Sequence, residues 1–95
     1  MTAPLTLSMP AVLTHREAPA CLQDWFRRLP AQGEVLLNAS ALQRFDSSAL
    51  AVLLALQREA LQRGCRVLVR ELPAQARQLA HVYGIESALG LSAAH

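Results

Sequence analysis

The chain has 95 residues, of which 53% are hydrophobic and 17% charged. This composition excludes disorder and predicts a single domain, spanning residues 1–95, with one hydrophobic core. The formal net charge of +2 comes from nine arginines scattered among seven acidic residues. That pattern lacks the clustered basic face of a nucleic-acid-binding protein, so we expect no nucleic-acid partner.

The hydrophobic segments are too short to cross a membrane. The longest apolar run covers residues 49–56, whereas a spanning helix needs about 20 apolar residues. Pro4 and Pro10 interrupt the apolar positions near the N-terminus, which is unlike a secretory signal. We therefore expect a cytoplasmic protein without direct membrane insertion.

The cysteines and histidines are scattered along the chain. Cys21 and Cys65 have no Cys or His neighbour at metal-ligand spacing, so the sequence indicates neither a metal site nor a disulfide framework. We expect two reduced, partly buried thiols and no cofactor. His15, His81 and His95 are each interpreted as structural or solvent-exposed.

The N-terminal third predicts two short strands and a helix. Residues 5–7 alternate as a half-buried strand does, and residues 11–14 form a second strand after Pro10. A helix then begins at Ala18 and is ended by Pro30. Its buried face consists of apolar residues at i, i+3, i+4 and i+7: Leu22, Trp25, Phe26 and Leu29.

The middle of the chain predicts a buried strand followed by a long helix. Residues 35–37 are uninterrupted apolar residues, as in a central strand buried on both faces, and residues 38–45 are interpreted as a loop. The helix has its N-cap at Asp46 or Ser47. It ends at Gly64, which suits the left-handed C-cap conformation.

The two halves of this helix differ. Residues 49–56 are apolar on all sides, so this half is buried or contacts a partner, whereas residues 57–63 include a polar, solvated face. A short apolar strand follows at residues 66–70.

The C-terminal part predicts one more helix, from Pro73 to Gly84. By spacing, its inward face includes Tyr83, which we interpret as a core or core-edge aromatic residue. The other members of that face are Ala76, Leu79 and Ala80. Three apolar residues beyond the helix are expected to pack against the core: Ile85, Leu89 and Leu91.

The predicted order of elements is β, β, α, β, α, β, α. A strand, a helix and another strand in succession imply parallel pairing with a right-handed crossover. We therefore predict an α/β fold: a mixed sheet with helices packed on it.

Residues 45–54, Phe-Asp-Ser-Ser-Ala-Leu-Ala-Val-Leu-Leu, resemble the motif of the STAS family. This family includes bacterial anti-sigma-factor antagonists, the tails of sulfate transporters and the MlaB subunit of a phospholipid ABC transporter. Its pattern is a hydrophobic strand ending in an acid, a short loop, and Asp-Ser-Ser/Thr-Gly at a helix start. The chain departs from it at Asn38, where the acid is usual, and at Ala49, where Gly is usual.

The resemblance is strongest to MlaB-like chains, because residues 79–85 are similar to their Leu-Ala-x-x-Tyr-x-Leu ending. It implies a non-catalytic cytoplasmic subunit that binds the transporter's ATPase subunit and supports its assembly or activity in maintaining outer-membrane lipid asymmetry. Such a subunit is peripheral to the inner membrane through its complex. The hydroxyl that matters in MlaB-like proteins falls on Ser47.

The alternative implied by the family is an anti-sigma-factor antagonist that binds an anti-sigma kinase and is released on phosphorylation, which falls on Ser48. A phosphate there would add about −1.5 to −2 charges to a docking surface.

A third possible class of function is an enzyme or a small-ligand carrier. We expect no enzyme, because a nucleophilic serine needs a general base and no histidine stands in a recognisable relation to Ser47 or Ser48.

The candidate contact surface is the start of the long helix with its neighbours. The motif residues Asp46, Ser47 and Ser48 are of types that cap helices in any protein. The hypothesis that they have a function depends on their position between a buried strand and an apolar helix. Arg44 is included in this candidate contact surface only because of its position in the sequence next to the motif. Tyr83 is included because it matches the MlaB-like ending.

Overall fold

Strands and helices alternate along the part of the chain that the structure describes. The computed structural model describes residues 5–89. The elements in chain order are β1 (Leu5–Ser8), β2 (Val12–Leu13), α1 (Ala18–Arg28), β3 (Gly33–Asn38), β4 (Arg44–Phe45), α2 (Ser47–Arg63), β5 (Cys65–Arg70), α3 (Ala74–Val82) and a 3-10 turn (Ser87–Leu89).

The main sheet has the strand order β1-β3-β5, and both pairings are parallel. In its register Leu37 of β3 lies between Leu7 and Val69. The predicted α/β fold with helices packed on a sheet is confirmed, and so is the central position of the strand around residues 35–37. All strand pairings among residues 5–89 are parallel, so the mixed pairing of the prediction is not seen there. Val35 and Leu37 are fully buried, whereas Leu36 is only half-buried.

A second, two-stranded parallel sheet pairs β2 with β4. The prediction of a continuous loop over residues 38–45 is wrong at its end, because Arg44 lies opposite Val12 and Phe45 opposite Leu13. A strand of two residues has no alternation of its own to detect. It exists because β2 supplies a partner from far along the chain.

The core lies between the sheet and the helices. Its largest fully buried side chains include Leu53 and Leu56 of α2. The predicted apolar face of α1 is confirmed, although its members are buried to different extents. Trp25 and Leu29 are buried, whereas Leu22 and Phe26 are half-buried against the core.

The ends of α2 are defined as the sequence predicts. Asp46 is the N-cap, and Gly64 adopts the left-handed conformation with φ of 79°. Arg63 in the last turn donates through Nη1 to the carbonyl oxygens of Phe26, at 2.7 Å, and Leu29, at 3.1 Å. These bonds satisfy carbonyl groups at the C-terminal end of α1.

The segment after α3 packs differently from the prediction in one respect. Ile85 and Leu89 pack into or against the core as expected, whereas Leu91 lies outside the described residues. Tyr83 is 55% exposed, so its interpretation as a core or core-edge residue is wrong. α3 ends at Val82 and the chain then turns, so that Ile85 takes the inward position.

The two thiols are free; Cys21 is half-buried, as predicted, whereas Cys65 is buried. Burial raises the pKa of Cys21 to about 11, with a smaller contribution from the negative charge of Asp24. A thiol with such a pKa is protonated at neutral pH and is a weak nucleophile.

No helix between residues 5 and 89 combines the length and hydrophobicity that crossing a bilayer requires.

Candidate functional site

Side-chain hydrogen bonds close the turn that precedes α1. The carboxylate of Glu17 accepts bonds from the backbone N–H of Thr14, at 2.8 Å, and from its hydroxyl, at 2.7 Å. These bonds, led by that of the hydroxyl, lower the pKa of Glu17. The Thr-x-x-Glu spacing is a sequence signature of a helix start, and His15 lies within this turn.

His15 and Asp46 join this turn to the start of α2. One carboxylate oxygen of Asp46 accepts from the backbone N–H of Ser48 at 2.8 Å. The other accepts from the backbone N–H of His15 at 3.2 Å and lies 3.4 Å from its Nδ1. Partial desolvation opposes ionisation of Asp46, but these hydrogen bonds outweigh it and lower its pKa. Asp46 is therefore an ionised cap that ties two segments together.

The two serines of the motif face different surroundings. Ser47 is exposed and Ser48 is half-buried. Ser47 lines a groove of about 390 Å³ together with Tyr83, so the structure brings these two predicted residues together. The other walls of this groove are apolar: Leu50, Ala51, Leu54 and Ile85.

Ser48 lines a second groove, of about 470 Å³, on the side of α2 that faces α1. Its remaining walls carry apolar side chains: Ala18, Pro19, Leu22, Ala51, Val52 and Ala55. Ala51 borders both grooves and is exposed. The apolar half of α2 is thus not fully covered by the described residues, in keeping with the expectation that it is buried or contacts a partner.

Arg44 lies outside this arrangement. Its side chain is exposed and it lines neither groove. Its backbone N–H donates to the carbonyl oxygen of Ala11 at 2.9 Å, so within the described residues its visible contribution is to the β2–β4 pair. A role for Arg44 in partner contact stays a prediction.

The two departures from the family motif have simple structural consequences. Asn38 accepts the backbone N–H of Ser40 at 2.9 Å, so its amide oxygen holds the turn after β3 without a negative charge. Ala49 is buried, with 1% of its surface exposed. Its methyl group is part of the core rather than of the exposed surface.

Gln57, predicted only as part of a solvated face, makes hydrogen bonds next to the C-terminal wall of the first groove. Gln57 donates through Nε2 to the carbonyl oxygens of Val67, at 3.0 Å, and Leu89, at 2.8 Å. It thereby fastens the 3-10 turn that follows Ile85 to α2 and β5. A glutamine within a polar half-helix gives no sequence signal for such a contact.

Among residues 5–89 there is no group of three or more His, Cys, Asp and Glu side chains that could hold a metal ion. The site instead combines hydroxyl groups, an exposed aromatic ring and apolar grooves around the first turns of α2. Such a surface is suited to contact with another protein, whose apolar side chains would be removed from water in the grooves.

Comparison with protein-family models identifies the chain's relatives. The family model described as "Mlab, STAS domain" matches residues 2–91. The chain belongs to this family of MlaB-type STAS domains. The resemblance seen at residues 45–54 and 79–85 is thereby confirmed as membership. A search of curated proteins and a search of solved structures each found no match.

Within this STAS domain, the family motif coincides with the start of α2 and the open grooves. The polar members Asp46, Ser47 and Ser48 were predicted from the sequence. His15 and the α1 side of the second groove, including Pro19, were not. The Thr14-x-x-Glu17 spacing indicates a helix start around His15, but nothing in the sequence places His15 beside Asp46 or α1 beside Ser48.

Proposed function

We propose that this STAS domain is a non-catalytic subunit that docks on the ATPase subunit of an MlaB-type phospholipid ABC transporter and supports its assembly or activity. The observation that carries the proposal is the part of the apolar half of α2 that the described residues leave uncovered. Ala51 is exposed between the two grooves, and Leu54 is half-buried in the first groove, which Ser47 and Tyr83 also line. The family membership supports this type of partner.

The physical basis of the docking is removal of apolar surface from water. Each Å² of buried apolar surface contributes about 25 cal/mol, and tightly packed aromatic anchors often dominate protein interfaces. Tyr83 is the exposed aromatic residue at the site, and its hydroxyl allows polar contact at the rim. In this role the protein is cytoplasmic and lies at the inner membrane through its complex.

The experiment is co-purification of the protein with the ATPase subunit from the same organism. Ala51→Glu places a charge between the two grooves, and we expect it to weaken binding by about a hundredfold, because a carboxylate without a partner would be buried. Ala74→Glu is the matched control, since Ala74 is an exposed alanine in the first turn of α3. Circular dichroism and thermal unfolding establish that both variants fold.

Wild-type binding by Ala51→Glu would contradict the proposed surface. Failure of the wild-type protein to bind the ATPase subunit would contradict the proposed function itself. Ser47→Arg tests the other side of the site, and it should also abolish co-purification because Ser47 lines the groove that contains Tyr83.

Ser48 supports a second candidate function, an anti-sigma-factor antagonist. Ser48 lines an open groove at the first turn of α2, where a phosphate is favoured by the helix dipole. It would add about −1.5 to −2 charges to an apolar groove and so repel a partner fitted to the neutral hydroxyl. Intact-mass measurement after incubation with the organism's anti-sigma kinase tests this, with Ser48→Ala as control; an unchanged mass removes the candidate.

A further inference from the structure

The exposed face of α2 extends beyond the two grooves. Five residues along it follow spacings of four, three, four and three: Ser47, Ala51, Leu54, Arg58 and Leu61. This is the heptad spacing that keeps side chains on one side of a helix. We call these five residues the α2 seam. All are exposed except Leu54, which is half-buried.

The side chains of the seam would allow another helix to pack along α2. Ser47 and Ala51 are small, so another helix can approach closely at this end, with the grooves on both sides to receive its larger side chains. At the other end Leu61 is 80% exposed. Leu54 and Leu61 are seven residues apart and therefore occupy equivalent positions along a two-helix contact.

The charge on the seam restricts what can cover it. Arg58 is its charged member, and none of the ion pairs within residues 5–89 involves Arg58. By contrast, Arg63 on the same helix pairs with Glu59 at 2.9 Å. A partner that covers Leu54 and Leu61 would also desolvate Arg58. Since burying an unpaired guanidinium is strongly unfavourable, the partner must place a carboxylate opposite it.

We propose that the α2 seam binds one amphipathic helix of the partner, whose apolar residues contact Ala51, Leu54 and Leu61 and whose acidic residue pairs with Arg58. This rests on the proposed function, which supplies the partner as the ATPase subunit, and it adds the chemistry of the segment that docks. The docked helix runs along α2 rather than ending at its first turns. Arg58 selects against partner helices that lack the carboxylate.

The test measures the dissociation constant for the purified ATPase subunit at near-physiological salt. Arg58→Glu should weaken binding by roughly tenfold or more, because it sets two carboxylates against each other, and Arg58→Gln should weaken it less. Arg66→Glu is the control with the same change in net charge. Arg66 is exposed on β5 and points to the opposite side of that strand from buried Val67. It should bind like the wild type.

A reversal experiment identifies the acidic residue. The exposed Asp and Glu residues on the ATPase subunit's helices are replaced one at a time by Arg, and one replacement should restore binding of the Arg58→Glu variant. If the wild type binds but Arg58→Glu binds equally well, or no replacement restores binding, the inference is overturned while the proposed function stands. If the wild type does not bind, both fail.

Analytical sedimentation of the protein alone tests whether a second copy of the chain covers the seam instead. We expect a monomer in the concentration range of the binding measurement. A dimer that Arg58→Glu dissociates would mean that a second copy of the chain covers the seam, which would also overturn the inference.

Discussion

The carboxylate of Asp46 makes three contacts. It caps α2 through the backbone N–H of Ser48, accepts the backbone N–H of His15, and lies within 3.4 Å of the His15 ring. The first contact is local in sequence and belongs to any N-cap. The contacts with His15 join segments that are 31 residues apart, so they stabilise the position of the site and not only the helix.

Replacing Asp46 by Ala should lower the stability of the fold at neutral pH and leave it nearly unchanged in strong acid. The pKa of Asp46 is lowered in the folded state, so its ionised form stabilises the fold above the ordinary pKa of 3.8. This contribution is lost as the pH falls through the lowered, folded-state pKa. Urea unfolding of both proteins over a pH series measures the difference.

Asp24→Ala is the control for this prediction. Asp24 forms ion pairs on the surface of α1 with Arg27, at 3.6 Å, and with Arg28, at 3.4 Å. Exposed pairs of this kind contribute little, so we expect a change within about 0.5 kcal/mol. A loss for Asp46→Ala that persists in strong acid would show that its ionised form is not what stabilises the junction.

At the scale of elements, α2 is the segment to which the other parts of the site are attached. Its N-terminus is tied to the turn before α1 through Asp46, and its C-terminus to the end of α1 through Arg63. Between them, Gln57 fastens the 3-10 turn at the end of the described residues. The grooves on both sides of α2 depend on these attachments, since each has a wall that belongs to another segment.

Arg63→Ala should destabilise the fold by about 1–3 kcal/mol. The substitution removes the charged donor from two carbonyl oxygens at the end of α1. Leaving a poorly hydrated carbonyl group without its hydrogen bond to a charged donor lowers the free energy of unfolding by about this amount. Chemical denaturation measures the change. Arg58→Ala, on the same helix and exposed, should change the free energy of unfolding by no more than about 0.5 kcal/mol. Equal effects of the two variants would contradict the assigned role.

At the scale of the whole molecule, the same helix contributes to the core and to the exposed surface. Leu56 is fully buried, whereas Leu61 is 80% exposed. The inward face of α2 packs with α1 and β5, and its outward face carries the seam. One half of α2 is apolar on nearly all sides, but only one side of the helix packs on the sheet. Some of its apolar surface therefore stays uncovered.

Leu56→Ala should cost about 2–5 kcal/mol, the usual range for removing a large aliphatic side chain from a packed core. This is a large part of the total stability of about 5–15 kcal/mol typical of a small domain. Leu61→Ala should leave the stability within about 0.5 kcal/mol of the wild type. Urea unfolding measures both, and a large loss for Leu61→Ala would mean that this side chain packs against the fold.

The sequence by itself determined the local features, because they depend on contacts between near neighbours. The cap at Asp46, the left-handed end at Gly64 and the apolar face of α1 follow from residue type and helical period. The motif at residues 45–54 also led to the family. The solvent-exposed or buried character of Tyr83 did not follow, because α3 ends just before it.

Only the tertiary structure decided what the motif faces. The parallel pairing of β2 with β4 and the contacts of Asp46 with His15 join segments about 31 or 32 residues apart, and such pairings leave no periodic signal in the chain. The placement of Ser47 beside Tyr83, and of Ser48 beside Pro19, likewise results from packing between helices. The residue types of the site could therefore be read from the sequence, whereas its two grooves required the fold.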